Sequence, residues 1–346
     1  MSTDNRDTKQ AIGLTRRAVA GGLLAAPFLV GGGRAFAADA LSVRVDFAPW
    51  GVHSALHLSN VKGWFKKDGL NIDLQDGTGT LNTINLVAAG RVDVGLVQLG
   101  PMAIARAQGL PVTSFAGYLR KGDLAVLVDK KKGLKSAKEL AGKKLVCFAN
   151  SPWAPFIDSY IKRIGLERGE GPGKVNVVMV SPAAMVSTYA AGGADGFMSL
   201  KEFGEPYVAE ARPARSFLAA DVGIMFPSYG LIATDATLAK RKDELARLAN
   251  NQSRAWNYIF AAPAHVDEAV QAIITDRPNK QLNPAILKGQ TVLCKEFLNT
   301  PHTVSKPLGW QSVDDWKQAV ASMSEVGLMK TDAKIAEFYT NDLIKS

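Results

Sequence analysis

Side chains suited to holding a small molecule follow the predicted strands, where a sheet would bring them together. In chain order they are Trp50 and His53, Thr78 and Thr80, Gln98, Asn150, Ser151 and Trp153, Met198, and Phe226 and Tyr229. Ligands of parallel α/β sheets collect at the carboxyl ends of the strands, beside helix N-termini. The aromatic rings offer flat apolar walls, and the amides, hydroxyls and imidazole offer hydrogen bonds. Because no acid–base pair stands out among them, this set predicts a binding site rather than a reaction centre.

Some of these positions also have a purely structural explanation. Thr78 and Thr80 are equally suited to capping the helix that follows them. Trp153 is equally suited to packing in an apolar core.

Known catalytic and cofactor motifs are absent from the sequence. His53 and His57 are spaced i, i+4, but a metal site needs three or four ligands and no third is indicated. The sequence has no G-x-G-x-x-G, G-x-x-x-x-G-K-[ST], G-x-S-x-G or C-x-x-C pattern. We therefore predict no metal, no cofactor and no catalytic residue. Cys147 lies in a strand-like run and Cys294 in a helix-like run, which predicts two buried free thiols.

The apolar pattern alternates between strands and helices up to about residue 234, which predicts an α/β fold. Strands are predicted at 43–47, 72–74, 92–97, 124–128, 144–148, 175–180, 196–199, 216–219 and 229–233. Helices are predicted at 53–65, 81–89, 153–164 and 183–191, with a Ser136–Glu139 capping box opening another. A helical tail follows at 238–259, 266–274, 284–298, 313–323 and 333–343, with caps at Asn283 and Ser312.

This order of elements fits two α/β lobes. Lobe 1 is predicted to comprise residues 38–123 and 228–346, and lobe 2 residues 124–227. The helical C-terminal tail is assigned to lobe 1.

The N-terminus resembles an export signal. Arg16 and Arg17 precede the uncharged run 18–33, which is shorter than the roughly 20 residues of a membrane span, and Ala35-Phe36-Ala37 forms an A-x-A cleavage pattern. These features predict a twin-arginine signal peptide over residues 1–37, with an ordinary N-terminal helix as the alternative. The formal net charge of +9 is scattered apart from Lys130-Lys131-Lys132 in a predicted turn, so no nucleic-acid partner is expected.

Several blocks resemble one group of periplasmic solute-binding proteins, those for nitrate, sulfonate, taurine and thiamin-pyrimidine precursors. The blocks are residues 46–53 (DFAPWGVH), 62–70 (KGWFKKDGL), 86–95 (LVAAGRVDVG), 105–112 (ARAQGLPV) and 133–144 (GLKSAKELAGKK). The resemblance implies a type II periplasmic-binding fold, in which two lobes joined by two crossing segments close on a ligand. It also implies a periplasmic, monomeric protein that delivers its ligand to the membrane permease and ATPase of an ABC transporter.

The resemblance also bears on the ligand. The pyrimidine-binding members bind an aminopyrimidine with a Glu near the position of residues 198–202. Glu202 and Glu205 are both near this position, and Glu202 is assigned to the predicted site. His53 is kept from their pattern, whereas Trp50 and Val52 stand where Asn is usual. The expected ligand is an aromatic or heteroaromatic solute such as a pyrimidine, or a sulfonate or carboxylate held by helix N-termini.

Two alternatives to transport remain. One is an enzyme similar to the eukaryotic thiamin-pyrimidine synthases, which consume their own His and carry a cysteine-rich motif that this chain lacks. The other is a periplasmic sensor subunit that presents its closed form to a membrane receptor. On this basis we predict a binding protein and not an enzyme.

Overall fold

The computed structural model describes residues 40–149 and 151–345, so the predicted signal peptide lies outside the described residues. Strands of these residues are β1 (Leu41–Val45), β2 (Ile72–Gln75), β3 (Val94–Gln98), β4 (Val112–Leu119), β5 (Leu124–Asp129), β6 (Lys144–Cys147), β7 (Glu167–Arg168), β8 (Lys174–Met179), β9 (Gly196–Leu200), β10 (Ala214–Leu218) and β11 (Tyr229–Thr234). They form two separate sheets.

The first sheet has the strand order β2-β1-β3-β11-β4. β1, β2 and β3 are parallel, whereas β11 is antiparallel to both β3 and β4. Every residue of β3, β4 and β11 is buried, as the near-continuous apolar runs of these strands require. The second sheet has the order β10-β5-β9-β6-β8-β7, and its β5 is antiparallel to both neighbours.

Helices cover these sheets. They are α1 (Ser54–Val61), α2 (Trp64–Lys67), α3 (Thr80–Ala88), α4 (Leu99–Ala107), α5 (Ile157–Arg163), α6 (Pro182–Ala190), α7 (Lys201–Val208), α8 (Asp235–Lys240), α9 (Lys242–Ala261), α10 (Pro263–Asp276), α11 (Pro284–Cys294) and α12 (Val313–Glu325). α3 and α4 pack on the first sheet, and α6 and α7 pack on the second. Within the described ranges, no helix is both long and apolar enough to cross a bilayer.

The architecture is therefore two α/β lobes, one around each sheet. Two segments connect them: residues 120–123 run from β4 to β5, and residues 219–228 return from β10 to β11. The segments lie side by side where the Ser228 amide donates to the Leu119 carbonyl at 2.8 Å. The predicted fold class, with its two crossings and helical C-terminal region, is confirmed.

Several local predictions are also confirmed. Glu139 and Ser136 form their capping box at the start of a 3-10 turn. Asn283 accepts from two backbone N–H groups at the start of α11, and Ser312 does the same at α12. Cys147 and Cys294 are both buried and free.

Several predicted helices differ in the structure. The long helix at 238–259 is divided between α8 and α9, and the helix at 153–164 begins only at Ile157. The helix at 53–65 is divided at Gly63, whose φ of 66° is the left-handed conformation that favours glycine. The helix at 333–343 is wrong, because only Ile335–Glu337 makes a 3-10 turn. Its chain lies along β4, where the Ser114 amide donates to the Phe338 carbonyl and the Ser114 carbonyl accepts from the Thr340 amide. Covering an exposed strand edge outweighs the local helical pattern here.

Candidate binding site between the lobes

Asp46 organises the part of the site that belongs to the first lobe. The chain leaves β1 at this residue, and its buried carboxylate accepts three hydrogen bonds. The donors are His53 Nε2 at 2.9 Å, the Tyr229 hydroxyl at 2.8 Å and Thr80 Oγ1 at 3.2 Å. The Trp50 amide points at His53 Nδ1, 3.4 Å away, so Nδ1 accepts and the proton sits on Nε2. Asp46 thus fixes the orientation of three residues from three different elements.

Trp50 connects this arrangement to the second lobe. Its ring makes edge-to-face contacts with Tyr229, at 5.7 Å between centroids, and with Phe203 of α7, at 5.3 Å. Such edge-to-face pairs are the preferred arrangement of aromatic rings. The lobes therefore touch through aromatic side chains beside the Asp46 cluster.

A pair of buried acidic residues lies where the crossing segments meet α7. Asp123 ends the first crossing, and Glu202 lies in the first turn of α7, where the Lys201 amide donates to the Asp123 carbonyl. Ser228 in the second crossing donates from its hydroxyl to Asp123 Oδ2. The other Asp123 oxygen and both Glu202 oxygens are buried with no other donor nearby, so the two carboxyl groups hydrogen-bond to each other, which requires a proton on one of them.

These surroundings favour the neutral forms of the acids. Burial raises the pKa of Asp123 above its ordinary value. Burial, followed by the charge of Asp123, raises the pKa of Glu202 well above its ordinary value. Burial and the nearby Asp46, Asp123 and Glu202 carboxylates raise the pKa of the Tyr229 phenol as well, so Tyr229 stays protonated and donates to Asp46.

Gln98 completes the polar side of the candidate site. We call this side the polar wall; it comprises Asp46, His53, Gln98, Asp123, Glu202 and Tyr229. Gln98 is the last residue of β3 and pairs in register with Tyr229 of β11. Both its amide nitrogen and its amide oxygen are buried without a partner. A buried amide without hydrogen bonds is unfavourable, so this side chain is suited to a bound molecule.

The structure brings together half of the predicted site residues. Trp50, His53, Thr80 and Tyr229 are joined by contacts, Gln98 adjoins Tyr229 in the sheet, and Glu202 directly precedes Phe203, whose ring contacts Trp50. Asn150 lies outside the described residues. The others are placed elsewhere.

The remaining predicted residues have local structural partners. Thr78 is exposed and donates to Asn82 rather than to the Asp46 cluster. Ser151 is paired with the Cys147 thiol, and Met198 is buried within β9 opposite Val126. Trp153 and Phe226 are core residues.

Trp153 of the second lobe and Phe226 of the second crossing are buried core residues. The Trp153 indole donates to the Ser199 carbonyl at 2.8 Å, and its ring packs edge-on against Tyr160. Phe226 lies 5.3 Å from the Phe156 ring, and a Cβ added to Gly100 would come within 2.6 Å of its own ring. Both side chains therefore support the lobes rather than join the polar wall.

Sequence reasoning missed Asp46, Asp123, Phe203 and Ser228. Asp46 directly follows an alternating strand, and this position was a usable signal. Asp123 and Ser228 lie in the crossings, where only the three-dimensional fold shows what they face. Within the described residues, no three His, Cys, Asp or Glu side chains are grouped so that they could hold a metal ion.

Comparison with known proteins places this arrangement in a family. The family described as NMT1/THI5 like matches residues 50–266. The chain belongs to the NMT1/THI5-like family. One relative, a 4-amino-5-hydroxymethyl-2-methylpyrimidine phosphate synthase of Saccharomyces cerevisiae, is 24% identical over 88% of each chain. Another, a formylaminopyrimidine-binding protein of Halalkalibacterium halodurans, is 22% identical over 82% of this chain and 84% of the relative.

Solved structures confirm the fold of this NMT1/THI5-like protein. The periplasmic aliphatic sulphonate binding protein SsuA of Escherichia coli superimposes with a TM-score of 0.66 at 13% identity, covering 86% of this chain and 91% of its own. The two lobes and two crossings are those of the periplasmic-binding-protein fold.

The relatives overturn one prediction. The sequence predicts that this chain is not an enzyme. That prediction is wrong, because several relatives are named as pyrimidine phosphate synthases. The missing cysteine-rich motif was the reason for that expectation. Membership of this family does not exclude catalysis.

Proposed function

We propose that this chain is the extracytoplasmic solute-binding component of an ABC uptake transporter. It holds a small organic solute between its lobes and delivers it to a membrane permease coupled to an ATPase. The main support is the Gln98 amide, whose two polar atoms are buried without a partner, beside the buried Asp123–Glu202 pair, whose carboxyl groups hydrogen-bond only with each other and with Ser228. Each buried polar group costs roughly 1–3 kcal/mol when it is left unpaired, so a ligand that pairs with the Gln98 amide is strongly favoured.

The chemistry of these atoms favours a pyrimidine-like ring over a sulfonate or carboxylate. The buried acidic oxygens of Asp123 and Glu202 accept hydrogen bonds, or donate one when protonated, and Trp50 and Phe203 supply apolar faces. An aminopyrimidine-like ring, with N–H donors and a flat body, matches both features. A sulfonate or carboxylate would instead face Asp46, Asp123 and Glu202, and none of the described residues assigned to this polar wall is Lys or Arg. The formylaminopyrimidine-binding relative agrees with the heteroaromatic choice.

The remaining parts of the proposal follow the predicted organisation. Residues 1–37 direct export to the periplasm and are removed. Lobe 1 (38–123 and 228–346) and lobe 2 (124–227) then close as a monomer around one solute, by the hinge motion usual for such folds.

Ligand identification tests the proposal. Small molecules released from the purified mature protein are identified by mass spectrometry, and calorimetry then compares formylaminopyrimidine, an aliphatic sulfonate and nitrate. We expect one-to-one binding of the aminopyrimidine, weakened at least tenfold by Trp50→Ala. Trp64→Ala is the matched control, because Trp64 packs on Tyr258 away from the site. Tight sulfonate or nitrate binding, or a Trp50→Ala variant with unchanged affinity, would contradict the proposed ligand class.

A second candidate is supported by the synthase relatives, one of which matches 88% of this chain. In that case the chain would yield a pyrimidine phosphate, at the expense of one of its own histidines if it acts as the similar synthases do, instead of releasing a bound solute unchanged. Product analysis after incubation separates the candidates: a pyrimidine phosphate would indicate a synthase, whereas recovery of the unaltered solute supports transport.

A further inference from the structure

α11 contacts both lobes beside the proposed binding site. On the first-lobe side it packs against α10 and the turn at Gly51–His53. The Thr291 hydroxyl is 2.8 Å from the Ser54 hydroxyl at the start of α1. A Cβ added to Gly51 would lie 2.4 Å from Gln290 Cβ, so only glycine permits this close approach.

On its other side α11 packs along α7 of the second lobe. Gly289 faces Pro206 so closely that an added Cβ would lie 2.8 Å from the proline Cβ. Just after α11, Glu296 forms an ion pair with Lys201 at 2.5 Å. α11 and the residues just after it thus pack against the helix that contains Glu202 and Phe203.

Gln290 links the two sides through one buried side chain. Its Oε1 accepts from the Gly51 amide at 3.1 Å, next to Trp50 in the first lobe. Its Nε2 donates to the Phe203 carbonyl at 3.4 Å, in the second lobe. The second bond is long, and such a bond is easily broken and remade.

We propose that α11 is a clasp that holds the lobes closed, with Gln290 as the positioning residue that ties the Trp50 turn to α7. The clasp rests on the proposed function, because Trp50, Phe203 and Glu202 are the residues whose spacing it sets. Opening the site then requires the Gln290–Phe203 hydrogen bond, the Lys201–Glu296 ion pair and the Gly289–Pro206 contact to separate together.

Cys294 provides a native reporter of this opening. It is the last residue of α11, is fully buried, and lies two residues before Glu296, which pairs with Lys201 of α7. Cys147 is equally buried, but it lies in β6 within the second lobe, where its thiol is hydrogen-bonded to the Ser151 hydroxyl. Separation of α11 from α7 exposes Cys294 and leaves Cys147 covered.

The experiment measures alkylation of both thiols by iodoacetamide in the ligand-free mature protein, by mass spectrometry of the peptides. Gln290→Met keeps the side-chain length and removes both hydrogen bonds. Gly289→Ala leaves Gln290 intact and forces Pro206 away. Gln271→Met is the matched control, because Gln271 is exposed on α10 and bonds only within that helix, to Thr275.

We expect both clasp variants to speed Cys294 alkylation at least fivefold, with Cys147 and the control unchanged. Equal acceleration of both thiols would show general unfolding and overturn the clasp, and so would unchanged alkylation of Cys294. Because no solute is needed, failure of the clasp is distinguishable from failure of the proposed binding function.

Discussion

Glu202 is the residue at which function and stability conflict most clearly. Its carboxyl group is fully buried, and its hydrogen-bond partner is a second buried acid, Asp123. Such a group destabilises the folded protein, and it persists where binding requires it. The same reasoning applies to the Gln98 amide, although that side chain carries no charge.

Glu202→Gln is predicted to stabilise the protein while weakening solute binding. A free glutamate titrates near 4.3, and burial raises the folded pKa of Glu202 well above this range. Above about pH 4.3 the unfolded chain releases the proton that the folded protein retains, so the free energy of unfolding falls as pH rises toward the folded pKa. The Gln variant removes this loss and gains about 1–3 kcal/mol at pH 8.

Thermal unfolding between pH 4 and pH 9 measures this effect. Glu210→Gln, just beyond the end of α7 and exposed, is the control and should keep the wild-type slope. A Glu202→Gln curve parallel to the wild-type curve would show that Glu202 is not held neutral.

Residue types at the ends of strands were enough to predict part of the candidate site. The other residues of the site depend on contacts between the lobes. Trp50, His53, Gln98 and Tyr229 could be predicted because each lies at or just beyond the end of a strand of one sheet. Phe203 and Gln290 could not, because their roles depend on α7 meeting α11 across about 90 residues of sequence. Trp153 has the right position in its loop, but its indole N–H is used within its own lobe.

At the scale of elements, the packing of α1 against α10 contains a second titrating group. His57 of α1 is buried, and its Nδ1 donates to Asp276 Oδ2 at 2.6 Å, while its Nε2 has no partner. Burial lowers the pKa of His57 below its ordinary value of 6.5. The imidazole is therefore neutral in the folded protein.

Acid is predicted to loosen this contact. As pH falls below about 6.5, His57 binds a proton in the unfolded chain but not in the folded protein. The free energy of unfolding therefore falls until the pH reaches the lowered pKa of folded His57. His57→Asn keeps a donor for Asp276 but does not titrate. Its unfolding free energy, from urea titrations at pH 5 and pH 8, should change less with pH than that of the wild type. An equal pH dependence would assign the acid sensitivity to other groups.

The C-terminal elements show where local patterns stop being sufficient. Asn283 and Ser312 were predictable as caps because capping depends on the next three residues only. The segment after residue 333 has helical periodicity, yet its backbone forms hydrogen bonds with the backbone of Ser114 in β4. Such a partner, more than 200 residues away in sequence, leaves no local signal.

For the molecule as a whole, Arg120 fastens the first crossing to the C-terminal region. Its guanidinium donates from Nε to the Leu298 carbonyl at 2.7 Å, and from Nη1 to the carbonyls of Pro307 and Trp310. Burial lowers the pKa of Arg120 to about 10, so it still carries its charge at neutral pH. The chain that closes the first lobe therefore depends on a residue in the hinge region.

Arg120→Met is predicted to lower the free energy of unfolding by about 3 kcal/mol, since buried carbonyls left unpaired cost roughly 1–3 kcal/mol each. Urea unfolding measures the loss. Arg91→Met, at an exposed position, should change stability by less than about 0.5 kcal/mol. If the two variants were equally stable, the C-terminal region would be held by other contacts.

A crystal structure of the mature protein with the solute that co-purifies with it tests the proposed binding role most directly. We expect a flat, donor-bearing molecule next to Trp50, with its N–H groups about 2.7–3.2 Å from the Glu202 carboxyl and with Gln98 hydrogen-bonded. A solute bound outside the space between the lobes, or bound there without hydrogen bonds to Glu202 and Gln98, would contradict the proposed role.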